Sequence, residues 1–441
     1  MNYRGLRTTI WGLGHFGGGL AAARWLAHEG AQVTVTDQAG PDVLADSLAQ
    51  LADVPIAAYH LGGHRAEDFL EADLIVVNPA VHPTSPWLHQ ARSGRARFVT
   101  ELELFIENCR APIVGVTGSN GKSTTAAMTA SILESAGRRV FLGGNLGGSL
   151  LDRLSTIGPD DWVVLEISSF QLWHFSPTVR MPHVAVVTGC TPNHLDWHPS
   201  LSDYVAAKQR MFLEQTRQDF AVLNPYDAAT AGWTPIVRGE WVAVPELDPL
   251  PTLQVPGLHN RINAACAAAA ARAAGCKPSD IRQGLERFRG LPQRLQWFAT
   301  VDGRRFYNDS TATTPESTLA ALRSLDGPIW LVAGGKNKGF CFRPLAEEIV
   351  ARARGAALFG SVRDELFQLL QDLAPTFPVA AMETMAEATR WCWSRSMPND
   401  AIVLSPACAS TDQFRNFQQR GRQFELLVHN TLNGPHGNAP S

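Results

Sequence analysis

Short β-branched and aliphatic runs alternate with alanine- and leucine-rich stretches of helical period along most of the chain. TTIWGLG leads into GGLAAARWLAHEG and then into AQVTVTD, a strand, a helix and a second strand in succession. Parallel strands joined by crossover helices produce this alternation, because such strands are covered on both faces and read as nearly continuous apolar runs. The pattern predicts an α/β protein of three domains: residues 1–110, 111–292 and 293–441. Each block carries its own glycine-rich or polar loop, and no internal repeat is visible. From about residue 432 the tail LNGPHGNAPS holds little to bury and reads as disordered.

A chain of 441 residues exceeds the size at which single cores stop growing, which agrees with several domains. The apolar fraction of 45%, the charged fraction of 18% and the net charge of −3 describe an ordinary soluble protein and give no footprint for a nucleic-acid partner. An anionic substrate must then be held by local lysines, arginines and backbone amides. The seven cysteines, Cys109, Cys190, Cys266, Cys276, Cys341, Cys392 and Cys408, are scattered and form no CxxC pair, which suits a reducing compartment. The start, MNYRGLRTTIWGLGHF, has no apolar leader, and the longest apolar stretches are too interrupted to span a bilayer. The expectation is a cytoplasmic protein without membrane insertion.

The first loop is Gly12-Leu13-Gly14-His15-Phe16-Gly17, between a strand and a helix, with Asp37 at the end of the second strand. Its glycines allow a tight turn and let a diphosphate approach a helix N-terminus, so the first domain reads as Rossmann-like. The pattern specifies a diphosphate and not which one. NAD is the usual occupant, but no hydride-transfer site follows. The second loop is Gly118-Ser119-Asn120-Gly121-Lys122-Ser123-Thr124, fed by the apolar strand Ile113 to Thr117. Backbone amides there would cradle phosphates, Lys122 would reach the β and γ phosphates, and the Ser123 or Thr124 hydroxyl would face Mg²⁺. Val116 stands where the strict P-loop pattern has its first glycine, so this is a variant P-loop in a central ATPase-type domain.

A divalent metal beside the γ-phosphate needs hard oxygens or a histidine. Glu166, after the apolar run from Trp162, and His194, after VAVVTGC, both lie beyond strand ends, where open α/β sheets bind ligands. Cys190, His194 and His198 also permit a zinc reading, but they lack the paired spacing of a structural zinc site, and magnesium is preferred.

TGSNGKST resembles the TG(T/S)NGK(S/T) loop of the Mur ligases, and the resemblance continues in order through GGNLG, LEISSFQL, NHLDWH, AAKQRMF, GLHNRINAA, LPQR, YNDSTATTPEST and SPACASTDQFRNFQQRG. The last segment is most similar to the glutamate-adding member. The resemblance implies a third, Rossmann-like α/β domain at the C-terminus. It also implies an ATP-dependent amide-bond ligase, acting through an acyl phosphate, that adds glutamate to UDP-N-acetylmuramoyl-L-alanine in peptidoglycan synthesis. It assigns Lys122, Glu166, His194 and Lys208 to catalysis, with Lys208 as a carbamylated lysine that helps hold a second Mg²⁺; Ser123, Glu166, His194 and Lys208 are the implied metal ligands. ATP would be held by residues 118–124 together with Asn260, Asn263, Arg294 and Asp309.

The resemblance places the UDP substrate against Gly14, His15, Phe16, Asp37, Gln38, Asn145, Ser168 and Gln171, and glutamate against Thr313, Lys338, Ser410, Thr411 and Phe417. A monomer is implied. Two departures stand out. Thr311, in NDSTATT, occupies the place of a lysine in the similar NDSKATN, and in the first domain His15 and Phe16 stand where small or hydroxylated residues are common, with Gln38 after Asp37. D-glutamate is the expected amino acid; the alternatives are a related ligase using L-glutamate or another amino acid and one acting on a folate-like acceptor.

Overall fold

The computed structural model describes residues 2–13, 17–248, 250–255, 257–337 and 339–432. The expectations placed on Gly14, His15, Phe16, Lys338 and the tail beyond Leu432 lie outside the described residues. By compactness the chain divides into two units: Met1–Pro251 with Ile262–Glu286, and Thr252–Arg261 with Arg287–Ser441.

The first unit holds two parallel sheets. The first is built from β1 (Arg7–Trp11), α1 (Gly18–His28), β2 (Gln32–Asp37), α2 (Ala45–Ala49), β3 (Ala58–Leu61), α3 (Ala66–Leu70), β4 (Leu74–Val77), α4 (Pro86–Ser93), β5 (Arg97–Val99) and α5 (Glu101–Asn108). Its strand order is β3-β2-β1-β4-β5, so the chain reverses direction across the sheet between β1 and β4. The LIVV run of β4 is buried along its whole length, as a strand covered on both faces requires. α1 lies so close to the end of β1 that a Cβ on Gly19 would come within 2.2 Å of the Gly12 carbonyl oxygen, so only glycine fits there.

The second sheet follows with β6 (Ile113–Thr117), α6 (Lys122–Ser135), β7 (Val140–Gly144), a 3₁₀ turn (Leu151–Thr156), β8 (Trp162–Glu166), α7 (Ser169–His174), β9 (Val184–Val187), α8 (Leu201–Leu213), β10 (Phe220–Leu223), α9 (Ala228–Ala231), a 3₁₀ turn (Thr234–Ile236) and β11 (Glu240–Trp241). α10 (Leu258–Ala273) and α11 (Pro278–Arg287) come after it. The order β11-β10-β9-β6-β8-β7 puts β6 between β9 and β8, so the loop after β6 opens at the point where the strand order reverses.

One apolar cluster runs from Ile10 and Val35 of the first sheet through Leu102, Phe105 and Ile106 of α5 to Leu165 and Phe212 of the second. α5 begins with a reciprocal cap: Thr100 Oγ1 accepts from the Glu103 amide at 3.1 Å, and Glu103 Oε2 accepts from the Thr100 amide at 2.6 Å. The buried Glu103 also accepts from the Ser176 amide, in the segment after α7, which ties α5 to the second sheet.

The second unit contains β12 (Gln296–Val301), β13 (Arg304–Asn308), α12 (Pro315–Ser324), β14 (Ile329–Gly334), α13 (Arg343–Arg352), β15 (Ala353–Phe359), α14 (Arg363–Leu373), β16 (Val379–Ala381), α15 (Met385–Arg395), β17 (Ala401–Leu404), α16 (Phe417–Leu427) and a π turn (Val428–Leu432). The sheet order is β12-β13-β17-β14-β15-β16, parallel except for the β12–β13 hairpin. β17 returns between β13 and β14, so the loops after β13, β14 and β17 gather at one end of the sheet.

The α5 cap gives a stability test. Thr100→Ala should lower the urea midpoint by an amount equivalent to about 1 kcal/mol, because the Glu103 amide loses its acceptor. An unchanged midpoint would show that the cap contributes nothing measurable.

Candidate active site

The loop between β6 and α6 is held in shape by its neighbours. Gly118 adopts φ +151°, and a Cβ there would lie 2.0 Å from Thr188 Oγ1, just beyond β9. That hydroxyl is the reason for the close approach: it faces the carbonyl oxygens of both Thr117 and Asn120 and hydrogen-bonds to them. Gly121 caps α6 at φ 81°, and a Cβ there would lie 2.3 Å from Asn263 Oδ1, so Asn263 of α10 stands directly against the helix start. Ser119 is fixed by its amide on Gly189 O at 2.9 Å, and by its hydroxyl on Thr191 O at 2.8 Å and on the Tyr204 hydroxyl at 2.6 Å. Lys122 Nζ folds back onto Gly118 O and Ser119 O, at 2.9 and 3.1 Å. Ser123 and Thr124 are buried in the first turn of α6.

Glu166 pairs in register with Val116 across β6 and β8, which sets its carboxylate beside this loop. Asn145 Nδ2 donates to Glu166 Oε1 at 2.9 Å, while Glu166 Oε2 is buried with no hydrogen-bond partner. A buried carboxylate oxygen left bare is costly, and a hard cation is the partner that such an oxygen suits. His194 follows β9 in a left-handed conformation, φ 54°, with its ring edge-on to Phe170 at 4.8 Å. Partial burial and the nearby charge of Lys122 hold its imidazole below the usual range, leaving ring nitrogens that can serve as ligands.

Lys208 lies on α8 with its ammonium over the Tyr204 ring, 4.6 Å from the centroid, and its side chain is 1% exposed. Burial first, and then the charge of Lys122, bring its ammonium down to about 7. The zinc alternative finds no support in the geometry. His198 Nε2 is engaged by Ser169 Oγ at 3.0 Å, which leaves its Nδ1 alone without a hydrogen bond. Among the described residues no three His, Cys, Asp or Glu side chains form a ready-made cage.

On the first sheet, Asp37 accepts from the Leu13 amide through Oδ2 and from the Ala39 amide through Oδ1, both at 2.9 Å. Its carboxylate thus shapes the glycine loop and the turn after β2, while Gln38 beside it is exposed. Ser168 and Gln171 form the reciprocal cap of α7.

In the second unit, the buried Asp309 follows β13. It accepts from the Leu295 amide at 2.9 Å and from Ser405 Oγ at 2.7 Å, and burial pushes its carboxyl up to about 7. Arg294 is exposed on the neighbouring turn, and Asn260 of α10 is buried in the same unit. Thr311 spends both its amide and its hydroxyl on Gln293 O, at 3.0 and 2.9 Å, closing one turn onto another. Thr313 donates its amide to Thr311 O at 2.9 Å. Ser410 is buried, Thr411 is exposed, and the Phe417 carbonyl accepts from Ser310 Oγ at 2.8 Å.

Comparison with known proteins accounts for this combination. Residues 6–99 match the Mur ligase MurD-like N-terminal domain, 116–244 the Mur ligase middle domain and 293–408 the Mur ligase glutamate ligase domain. A UDP-N-acetylmuramoylalanine–D-glutamate ligase of Symbiobacterium thermophilum is 35% identical, over 93% of this chain and 95% of its own length. The enzyme of the same name from Roseiflexus is 36% identical, over 97% and 99%. The chain belongs to the Mur ligase family. The fold agrees: UDP-N-acetylmuramate-alanine ligase MurC from Thermotoga maritima superposes with a TM-score of 0.60 at 20% identity, over 96% of this chain and 99% of its own. MurF from Acinetobacter baumannii gives 0.60 at 17% identity, covering 88% of each.

Three residues of this Mur ligase escaped the sequence reading. Thr188 clamps the P-loop, and its signal was a hydroxyl at the end of a buried strand. Tyr204 joins Ser119 to Lys208, but in the helix pattern it looked like a core aromatic. Arg420 is fully buried and bonds Ser310 Oγ, Ser310 O and Cys408 O at 2.9–3.0 Å, a role no spacing rule foretells for an arginine. The P-loop geometry predicts that Gly118→Ala weakens ATP binding about tenfold or more, since the added Cβ must displace Thr188 and the backbone strain alone costs about 1–3 kcal/mol. Calorimetric titration with ATP decides it, and wild-type affinity would show that the loop does not need this conformation.

Proposed function

We propose that this Mur ligase uses ATP to join glutamate to UDP-N-acetylmuramoyl-L-alanine, with D-glutamate as the amino acid. The observation that carries the reading is the pairing of β6 with β8, which sets the unsatisfied Glu166 oxygen beside the phosphate-cradling loop that bears Lys122. The curated relatives, which share over a third of their residues with this chain, bear the name of the D-glutamate-adding enzyme. We assign the UDP moiety to the glycine loop of the first sheet, with Asn145, Ser168 and Gln171 facing the substrate from the second. Glutamate is assigned to Thr313, Lys338, Ser410, Thr411 and Phe417, and the division of the chain at about residues 110 and 292 into three domains follows the three sheets.

In the reaction the terminal alanine carboxylate attacks the γ-phosphorus of ATP, ADP leaves, and an acyl phosphate results. The glutamate amine then attacks the acyl carbon, inorganic phosphate departs, and the amine gives up a proton. Two anions must meet in the first step, so fixed positive charge dominates catalysis. Lys122 supplies it once phosphate oxygens replace the carbonyls it now contacts, and the amides of residues 120–123 supply the remaining donors. Mg²⁺ fits Ser123, Glu166 and His194, where it would neutralise phosphate charge; a second ion fits beside Lys208 if that lysine carries a carbamate. Lys208 suits carbamate formation: buried over Tyr204 and beside another cation, part of its population is a neutral amine able to add to CO₂, losing a proton to leave an anionic carbamate.

Turnover should yield ADP and phosphate only when the UDP-sugar and glutamate are both present, and kcat/KM should be higher for D-glutamate than for L-glutamate. Thr311 lacks the cation of similar loops, but its bonds to Gln293 keep the turn formed. AMP and pyrophosphate as products would refute the mechanism, and a clear L-preference would refute the assignment of the enantiomer. Lys208→Ala is expected to be nearly inactive and partly restored by short carboxylic acids that offer oxygens in place of the carbamate. Full activity without them would remove the carbamate from the mechanism.

A further inference from the structure

Glu101 opens α5 at the seam between the first two sheets, and the mechanism above makes no use of it. Its Oε1 accepts a hydrogen bond from Ser149 Oγ. Ser149 belongs to the GGNLGGS loop that also carries Asn145, and Asn145 in turn orients Glu166. Oε2 faces the other way: a Cβ on Gly18, the first residue of α1, would lie 3.7 Å from it. One carboxylate therefore meets both the start of the helix after the glycine loop and the loop that holds a proposed metal ligand.

Among the described residues the surrounding charges leave it without a counter-ion. On α1, Arg24 is taken up by Asp152 at 2.6 Å and by Gln50 O, and His28 lies at the exposed far end of the helix. On the 3₁₀ turn, Arg153 sits over the Phe141 ring, while Asp152 adds a second negative charge near Glu101. On α5 itself the next acid, Glu103, is engaged by Thr100 and Ser176. No cation among the described residues pairs with Glu101. Part of the residue's surface is open, but the carboxyl is enclosed in the seam. Burial, reinforced by Asp152 and opposed by the Ser149 bond, pushes it up to about 7.

We propose that Glu101 is a positioning residue that couples the UDP diphosphate at the start of α1 to Asn145 and Glu166, taking up a proton as the diphosphate binds. The inference rests on the assignment of the UDP moiety to the first sheet. A helix start attracts anions, and an ionised Glu101 competes with the diphosphate for it. The protonated carboxyl keeps its acceptor for Ser149 and no longer repels the ligand. Below about pH 7 the residue is already neutral, so binding moves no proton. Above it, binding draws a proton from solvent, and affinity falls as pH rises. The diphosphate diester and the alanine carboxylate of the substrate do not titrate in this range, so the linkage is the protein's.

The test is calorimetric titration of the full-length enzyme with UDP-N-acetylmuramoyl-L-alanine, without ATP, at about pH 8 in two buffers of different ionisation enthalpy. The wild type should take up close to one proton, and its affinity should fall by up to about tenfold per pH unit above about pH 7.5. Glu101→Gln, which keeps an acceptor for Ser149, should bind with no proton uptake and a flat pH profile. Ser149→Ala, which removes a bond favouring the ionised carboxylate, should reduce the uptake at pH 8 without abolishing it and lower kcat several-fold with little change in KM for the UDP-sugar, because Asn145 and Glu166 lose their link. Wild-type binding without uptake, or uptake that persists in Glu101→Gln, overturns the inference while leaving the proposed function intact. Absence of binding by the wild type overturns the proposed function and the inference with it.

Discussion

The site depends on an electrostatic constraint: burial, and then the charge of Lys122, press on the Lys208 ammonium, while Lys122 Nζ lies against the Gly118 and Ser119 carbonyls. Two cations held together at low dielectric are unfavourable until anions arrive. Phosphate oxygens would answer Lys122, and the proposed carbamate would answer Lys208. The bare Glu166 oxygen expresses the same imbalance from the opposite side, since it is a buried negative group awaiting a positive one. These costs are carried by the apolar sheet beneath, whose β6, β8 and β9 are almost wholly buried.

The loop that bears Lys122 is shaped from outside rather than by its own sequence alone. Thr188 reaches from the end of β9 to the Thr117 and Asn120 carbonyls, and Gly118 has no side chain because that hydroxyl fills the space a Cβ would occupy. Asn263 does the same at Gly121. The variant with Val116 in place of the usual first glycine is therefore compatible with a tight loop, because the close approaches fall at the two glycines that remain.

In the second unit the loop after β13 shows a comparable economy of contacts. Arg420 is buried with all its hydrogen bonds to Ser310 and Cys408, and Thr311 closes onto Gln293. The hydroxyl at position 311 keeps the turn formed. Asp309, held by the Leu295 amide and Ser405, is likewise an acid whose first task is to fix a turn. Asp37 serves the glycine loop in the same manner.

The alternation of apolar strands and amphipathic helices was enough to foresee three parallel-sheet blocks, because burial on both faces leaves a local mark in every strand. Gly118, Gly121 and Lys122 were legible for a similar reason, since a tight turn before a helix restricts residue types over a few neighbouring positions. Glu166 and His194 could be placed at or beyond strand ends, which is where β8 and β9 leave them. Other roles depended on partners distant in the chain. Thr188 matters because β9 lies beside β6, Tyr204 because α8 packs under the P-loop, and Glu101 because α5 meets Gly18 and Ser149 in one seam. Hydrophobic period and loop composition are local properties written residue by residue, whereas the hydrogen bond a buried polar group makes, and the charge it then carries, are set by neighbours that only the folded chain brings together.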